Sequence, residues 1–120
     1  MLWAMNQEQS GLQDKRGLRF AFQADAEIVS QSTAGSVRGR VTEMSFRGCF
    51  VETSAALEKQ QRVHVKIVRQ DERFEALAQV MYVRPGGVGL LFGEVEPQFR
   101  RVLQKWILSS MDSHAKPKEL

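Results

Sequence analysis

At 120 residues, 42% of them apolar, the chain has enough length and apolar mass for one core and too little for two independent ones. Its 17 Lys and Arg against 14 Asp and Glu leave a net charge of +3, milder and less clustered than a duplex-binding domain carries, and suited to a small anionic ligand at least as well as to a polymer. The single cysteine, Cys49, excludes a disulfide framework and a thiolate-rich zinc site and points to a reducing compartment, the cytoplasm.

Residues 1–14 are polar and Gln-rich without a steady period, which reads as a flexible tail. Leu2 and Trp3 stand in it without the basic start or the apolar run of a signal peptide. Nowhere does the chain approach the ~20 apolar residues of a membrane-spanning helix, so no membrane insertion is expected. Residues 15–20 are basic and form a short loop leading into structure. From 24 to 29 the pattern alternates, with Ala24, Ala26 and Ile28 on the core side and Asp25 and Glu27 facing water, the mark of a half-buried strand. Residues 31–36 are small and polar and predict a turn. A second strand over 37–44 puts Val37, Gly39 and Val41 on one face and Arg38 and Arg40 on the other. Gly48 interrupts, and 49–52 is a short third strand.

Residues 53–60 form a loop with one helical turn expected over 55–59. The cleanest alternation follows at 62–68, where Val63, Val65 and Ile67 oppose Arg62, His64 and Lys66. A longer strand spans 74–83, residues 85–87 make a tight turn because Pro fixes one dihedral and Gly permits positive φ, and 89–92 is the last strand. The period then changes. Phe99, Val102, Leu103, Trp106, Ile107 and Met111 recur at three- and four-residue steps, with Arg100, Arg101, Gln104 and Lys105 on the other side, an amphipathic helix. Pro97 suits its first turn, and Glu94 and Glu96 sit near its positive end. Residues 112–120 read as a polar, flexible tail. Six strands and one C-terminal helix imply an antiparallel barrel over 15–111 with the helix packed across it.

Two segments stand out. Lys15-Arg16-Gly17-Leu18-Arg19 has a basic residue at each end and a third inside. Glu43-Met44-Ser45-Phe46-Arg47-Gly48 lies at a strand end. Together they resemble the two signature motifs of the PilZ family of cyclic di-GMP receptors, R-x-x-x-R in an N-terminal loop and [D/N]-x-S-x-x-G on the barrel. The runs Gly48-Cys49-Phe50-Val51-Glu52-Thr53 and Val83-Arg84-Pro85-Gly86-Gly87-Val88-Gly89-Leu90-Leu91-Phe92 are also similar, so the resemblance extends from Lys15 to the helix. It implies a six-stranded PilZ-like barrel with a C-terminal helix, acting as a receptor or adaptor in bacterial second-messenger signalling. Lys15, Arg16 and Arg19 would clamp cyclic di-GMP, and Glu43, Ser45 and Gly48 would form the wall on the barrel side. A downstream protein partner follows from the adaptor role. No further cofactor is implied, and the outer side of the helix is free to support a homodimer.

The chemistry is coherent in its own right. An arginine fork pairs with phosphate oxygens, or with guanine O6 and N7, through two parallel hydrogen bonds, and its plane stacks on a purine. A carboxylate accepts from N1–H and N2–H on guanine's other edge. Ser45 can add a hydroxyl contact, and Gly48 leaves the backbone open to close approach. Two positions depart from the family pattern. Lys15 keeps the charge of the first Arg without the planar fork, which Arg16 can supply if the loop shifts by one residue. Glu43 keeps the acceptor pair of Asp but reaches one methylene further.

Those departures define one rival, a degenerate family member that serves as a protein-interaction module without binding the dinucleotide. A barrel for single-stranded nucleic acid is the other; it needs exposed aromatic platforms, for which only Tyr82 and a few Phe residues are available, so no DNA or RNA is expected. Cys49 reads as a small core residue, His64 as a surface residue, His114 as part of the tail, and Phe99 and Trp106 as core. The sequence has no H-E-x-x-H, no G-x-S-x-G and no phosphate-cradling Gly loop ending in Lys-Ser/Thr, so a non-enzymatic binding module without a metal site is expected.

Overall fold

A computed structural model of the chain describes residues 19–30 and 35–118, with side chains up to residue 111. The expected N-terminal tail, Lys15 and Arg16 lie outside the described residues, as do 31–34 of the expected turn. Strands β1 (Phe20–Ser30), β2 (Ser36–Met44), β3 (Gly48–Glu52), β4 (Arg62–Arg69), β5 (Glu72–Arg84) and β6 (Gly87–Phe92) close into a barrel in the order β1-β2-β3-β6-β5-β4, and one helix, α1 (Pro97–Lys118), follows. Every strand pair is antiparallel. The expected six-stranded barrel with a C-terminal helix is the fold observed. Closure gives every strand a hydrogen-bonded neighbour on each side.

Period-two patterning decides which side chains fill the interior. On β1 the inward set is Phe20, Phe22, Ala24, Ala26 and Ile28, all buried. The strand thus starts at Phe20, within the stretch expected to be loop; the basic run before it hides an alternation that already begins there. Val63, Val65 and Ile67 on β4 are fully buried, opposite Ala78, Ala76 and Phe74 on β5. Four alanines, at 24, 26, 76 and 78, sit among these larger residues. Alternating small and large side chains lets so narrow a barrel be filled rather than left hollow.

The turns follow local chemistry. Pro85 and Gly86 cap the β5–β6 hairpin, with Gly86 at φ 92°. Gln70 and Asp71 cap the β4–β5 hairpin, and Gln70 takes φ 58° without the Gly or Asn that would signal it. No helical turn forms over 55–59. Side chains there capture the backbone groups a helix needs: Thr53 Oγ1 accepts from the Ala55 amide at 3.2 Å and Gln61 Oε1 from the Glu58 amide at 2.9 Å. Leu57 is buried instead as a plug on the core.

Helix α1 packs on β1 and β5. Leu103, Trp106 and Ile107 are buried, and Phe99 and Val102 pack beside them. The face continues to Ser110, which is buried, while Met111 is 44% exposed; the step of 3.6 residues carries the buried stripe to 110. The helix backbone runs on to Lys118, past the last apolar residue of the sequence pattern. Under it Trp106 meets Phe22 with ring centroids 5.2 Å apart, and Phe74 meets Phe92 at 5.0 Å. Glu72 fastens the junction. Its Oε1 accepts from Trp106 Nε1 at 3.0 Å and its Oε2 from Lys105 Nζ at 2.7 Å. Hydrogen bonding to Lys105, then to Trp106, holds the Glu72 carboxyl below its usual pKa.

Candidate functional site

Three ladder irregularities gather on one stretch of the barrel wall: between Ala21 and Ala24 on β1, between Val41 and Glu43 on β2, and between Val80 and Tyr82 on β5. A bulge re-aims the side chains that follow it. Strict alternation from buried Val41 would keep Glu43 inward; instead Glu43 is half-exposed and Met44 takes the buried position. Beyond Val80, both Met81 and Tyr82 lie on the outer side, with Tyr82 paired to Gly89. The result is an open depression of about 390 Å³ whose rim and floor include Arg19, Glu43, Ser45, Arg47, Gly48 and Tyr82. That volume is in the range of small-molecule sites.

Arg19 stands just before β1, beside the end of β2. Its Nη1 lies 3.6 Å from Glu43 Oε1, and the two side chains are 55% and 47% exposed. The same Nη1 donates to the Tyr82 hydroxyl at 3.5 Å. Both contacts are long, and exposed pairs of this kind contribute ~0–1 kcal/mol. They aim the guanidinium over the depression without locking it there.

Ser45 is buried and organises the β2–β3 turn. Its Oγ accepts from the amides of Arg47 and Gly48, each at 3.1 Å, and donates to the Gly48 carbonyl at 3.2 Å. The Ser45 amide donates to that carbonyl as well, at 2.9 Å. The hydroxyl is therefore engaged within the turn itself. Gly48 is set by the barrel: a Cβ there would stand 1.9 Å from the Leu90 carbonyl oxygen of β6. The constraint at this position is strand packing, a different reason from the open ligand approach expected of it. Gly89 has a similar role on the outside, where a Cβ would stand 2.3 Å from the Tyr82 ring. Phe50 runs nearly parallel to Tyr82, centroids 6.2 Å apart, and the Arg84 guanidinium lies 4.8 Å from the Tyr82 ring centre and 5.4 Å from that of Phe50.

Four of the residues singled out in sequence, Arg19, Glu43, Ser45 and Gly48, thus meet at one depression. Arg47, Phe50 and Tyr82 join them without having been assigned to the ligand site. Arg47 lay inside the second motif and was legible as a cation there, whereas Tyr82 is brought to the site by a bulge that no local motif announces.

Of the other chemistry-bearing residues, Cys49 borders the depression but is buried, and His64 lies away from it. Burial raises the Cys49 thiol to about 12, so it stays protonated and unreactive at neutral pH. His64 is engaged by Glu75, Nε2 to Oε1 at 3.1 Å, and Glu75 also holds Arg73 at 2.8 Å. Among the described residues no group of three or more His, Cys, Asp or Glu is arranged to hold a metal ion, and no helix is long and apolar enough to cross a membrane. The depression offers a carboxylate acceptor, two guanidinium groups and an aromatic wall, a set that recognises an anionic ligand with hydrogen-bonding edges and planar rings.

The family model described as PilZ domain matches residues 13–109. No curated protein shows a significant sequence match to the chain. Among solved structures, the chain is similar to the PilZ domain of YcgR from Escherichia coli, determined with c-di-GMP, at TM-score 0.68 and 16% identity over 85% of this chain and 95% of that one. It is also similar to the PilZ domain of CeSA from a cellulose-synthesizing bacterium (TM-score 0.62, 16% identity, 77% and 96% covered). A third similar structure is the Bacillus subtilis inhibitor of motility MotI/DgrA (TM-score 0.65, 16% identity, 79% of this chain and 50% of that one).

Proposed function

The chain belongs to the PilZ domain family, and on that premise we propose that it is a receptor for cyclic di-GMP, taken up at the depression beside Arg19 and Glu43. The observation that carries this reading is the meeting of Arg19, from the first motif segment, with Glu43, Ser45, Arg47 and Gly48, from the second, at that depression. The weak Arg19–Glu43 pair suits a site that exchanges partners. A phosphate or a guanine edge draws the Arg19 fork away from Glu43, and the freed carboxylate accepts from N1–H and N2–H of a guanine. Ser45 contributes by holding the turn, and Tyr82 by aiming Arg19 through its hydroxyl. Lys15 and Arg16 precede Arg19 closely enough to add positive charge over the bound ligand.

Binding without catalysis is the proposed role. The protein acts in the bacterial cytoplasm by presenting an altered surface to a downstream protein once the ligand is bound. Calorimetric titration of the full chain with cyclic di-GMP, with GTP and a single-stranded oligonucleotide as controls, tests this. Saturable binding of cyclic di-GMP alone is the expected result. Binding of the oligonucleotide, or of none of the three, overturns the receptor reading; the latter is the behaviour of a family member kept only for protein contacts.

A further inference from the structure

Arg47 differs from every other charged group at the depression. Arg19 and Glu43 face each other and largely cancel, so the net positive charge of the described lining residues is that of Arg47. Its side chain is exposed and has no hydrogen bond, ion pair or ring contact among the described residues. Its main chain, in contrast, is held on both sides. The Arg47 amide donates to Ser45 Oγ at 3.1 Å, and its carbonyl accepts from the Phe92 amide at 2.8 Å. A clamped backbone that presents an unpaired guanidinium at the rim of a pocket has already met part of the ordering cost of binding. Using Arg47 also requires no existing ion pair to be broken, whereas Arg19 must first give up Glu43.

We infer that Arg47 is a direct binding residue of this site, pairing its guanidinium with a phosphate of the ligand; this rests on the receptor reading above. Arg47 adds a cation from the barrel side, on a turn whose main chain is held before ligand arrives. The Ser45 turn then has a functional purpose beyond joining β2 to β3: it sets the position of Arg47.

The test is calorimetric titration of cyclic di-GMP into the full-length wild type, Arg47→Gln, Arg47→Lys and Arg101→Gln, each at low and high salt. Arg101 is an exposed cation on α1, so its variant removes the same charge away from the depression. Arg47→Gln is expected to bind at least about tenfold more weakly than wild type. Arg47→Lys, which keeps the charge, should lie closer to wild type than to the Gln variant, and Arg101→Gln should stay within about twofold of wild type. Thermal midpoints should agree across all four proteins, because the anchors of the turn are main-chain groups and Ser45. Binding by wild type with Arg47→Gln equal to it, or no weaker than Arg101→Gln, overturns this inference alone. Equal loss in Arg47→Lys and Arg47→Gln overturns the phosphate assignment. Absence of binding by wild type overturns the receptor reading itself and this inference with it.

Discussion

The helix–barrel junction and the outer depression are built from similar side chains, arranged to opposite ends. At the junction Glu72 has each oxygen committed, to Lys105 at 2.7 Å and to Trp106 at 3.0 Å, over a seam of packed aromatic rings. At the depression Glu43 has one cation at 3.6 Å, Arg19 shares a single nitrogen between two long contacts, and the Arg47 side chain has no partner among the described residues. Polar groups satisfied at short range hold a fold together. Groups left loosely paired on a rigid frame remain available to a ligand. On the proposed reading the junction contributes to stability and the depression to binding, and variants in the two regions should separate these properties.

The largest effect is expected at Trp106. Trp106→Ala removes a buried indole and leaves Glu72 without one of its donors, a destabilisation of about 3–5 kcal/mol. Chemical denaturation measures it, and the fraction still folded should bind cyclic di-GMP as wild type does. Gly48→Ala comes next, at about 2–3 kcal/mol, because the added methyl drives into the Leu90 backbone and nothing there can rotate away. A stable Gly48→Ala protein that had lost only ligand affinity would instead make Gly48 a ligand-contact position and blur the division.

Arg19→Ala should do the reverse of Trp106→Ala. Its stability change stays within about 0.5 kcal/mol, as for other exposed pairs. Its affinity for cyclic di-GMP falls on the order of 30-fold, about 2 kcal/mol, through loss of a charge-assisted contact. Paired denaturation and titration of the one variant read both. A drop in stability with unchanged affinity would exchange the roles of the two regions.

The smallest effect is one of pH. The folded-state pKa of Glu72 lies below its usual 4.5, so on acidification the unfolded chain takes up this proton first. The Glu72 contribution is fully present above about pH 4.5 and is lost as pH falls through the depressed folded value. The thermal midpoint of wild type should therefore fall more steeply below that pH than that of Glu72→Gln. Parallel curves would show that the carboxylate does not fasten the helix.

The two regions were not equally legible in the amino-acid sequence. The barrel could be read because Val63, Val65 and Ile67 alternate cleanly and because Pro85-Gly86 marks its hairpin. The start of β1 at Phe20 was obscured by the basic run before it, and the Gln70-Asp71 hairpin carries no Gly or Asn to signal positive φ. The seam of Trp106 and Phe99 was legible as core from helical spacing, but its fastening by Glu72 was not, since that pairing spans 34 residues. At the depression, the motif order pointed to Arg19, Glu43, Ser45 and Gly48. It could not say that Ser45 is occupied by its own turn or that Gly48 answers to Leu90. Tyr82 arrives through an irregularity in the β5–β6 ladder, which depends on strand pairing rather than on any local pattern.

The central claim is that the ligand occupies the outer depression and leaves the junction untouched. Titration of isotopically labelled protein with cyclic di-GMP, followed by backbone amide chemical shifts, tests it most directly. The account predicts saturable shifts at Arg19, Arg47, Gly48 and Gly89, with Leu103, Trp106 and Ile107 unmoved. Shifts concentrated at the helix–barrel junction, or none at the depression at saturating ligand, would contradict it.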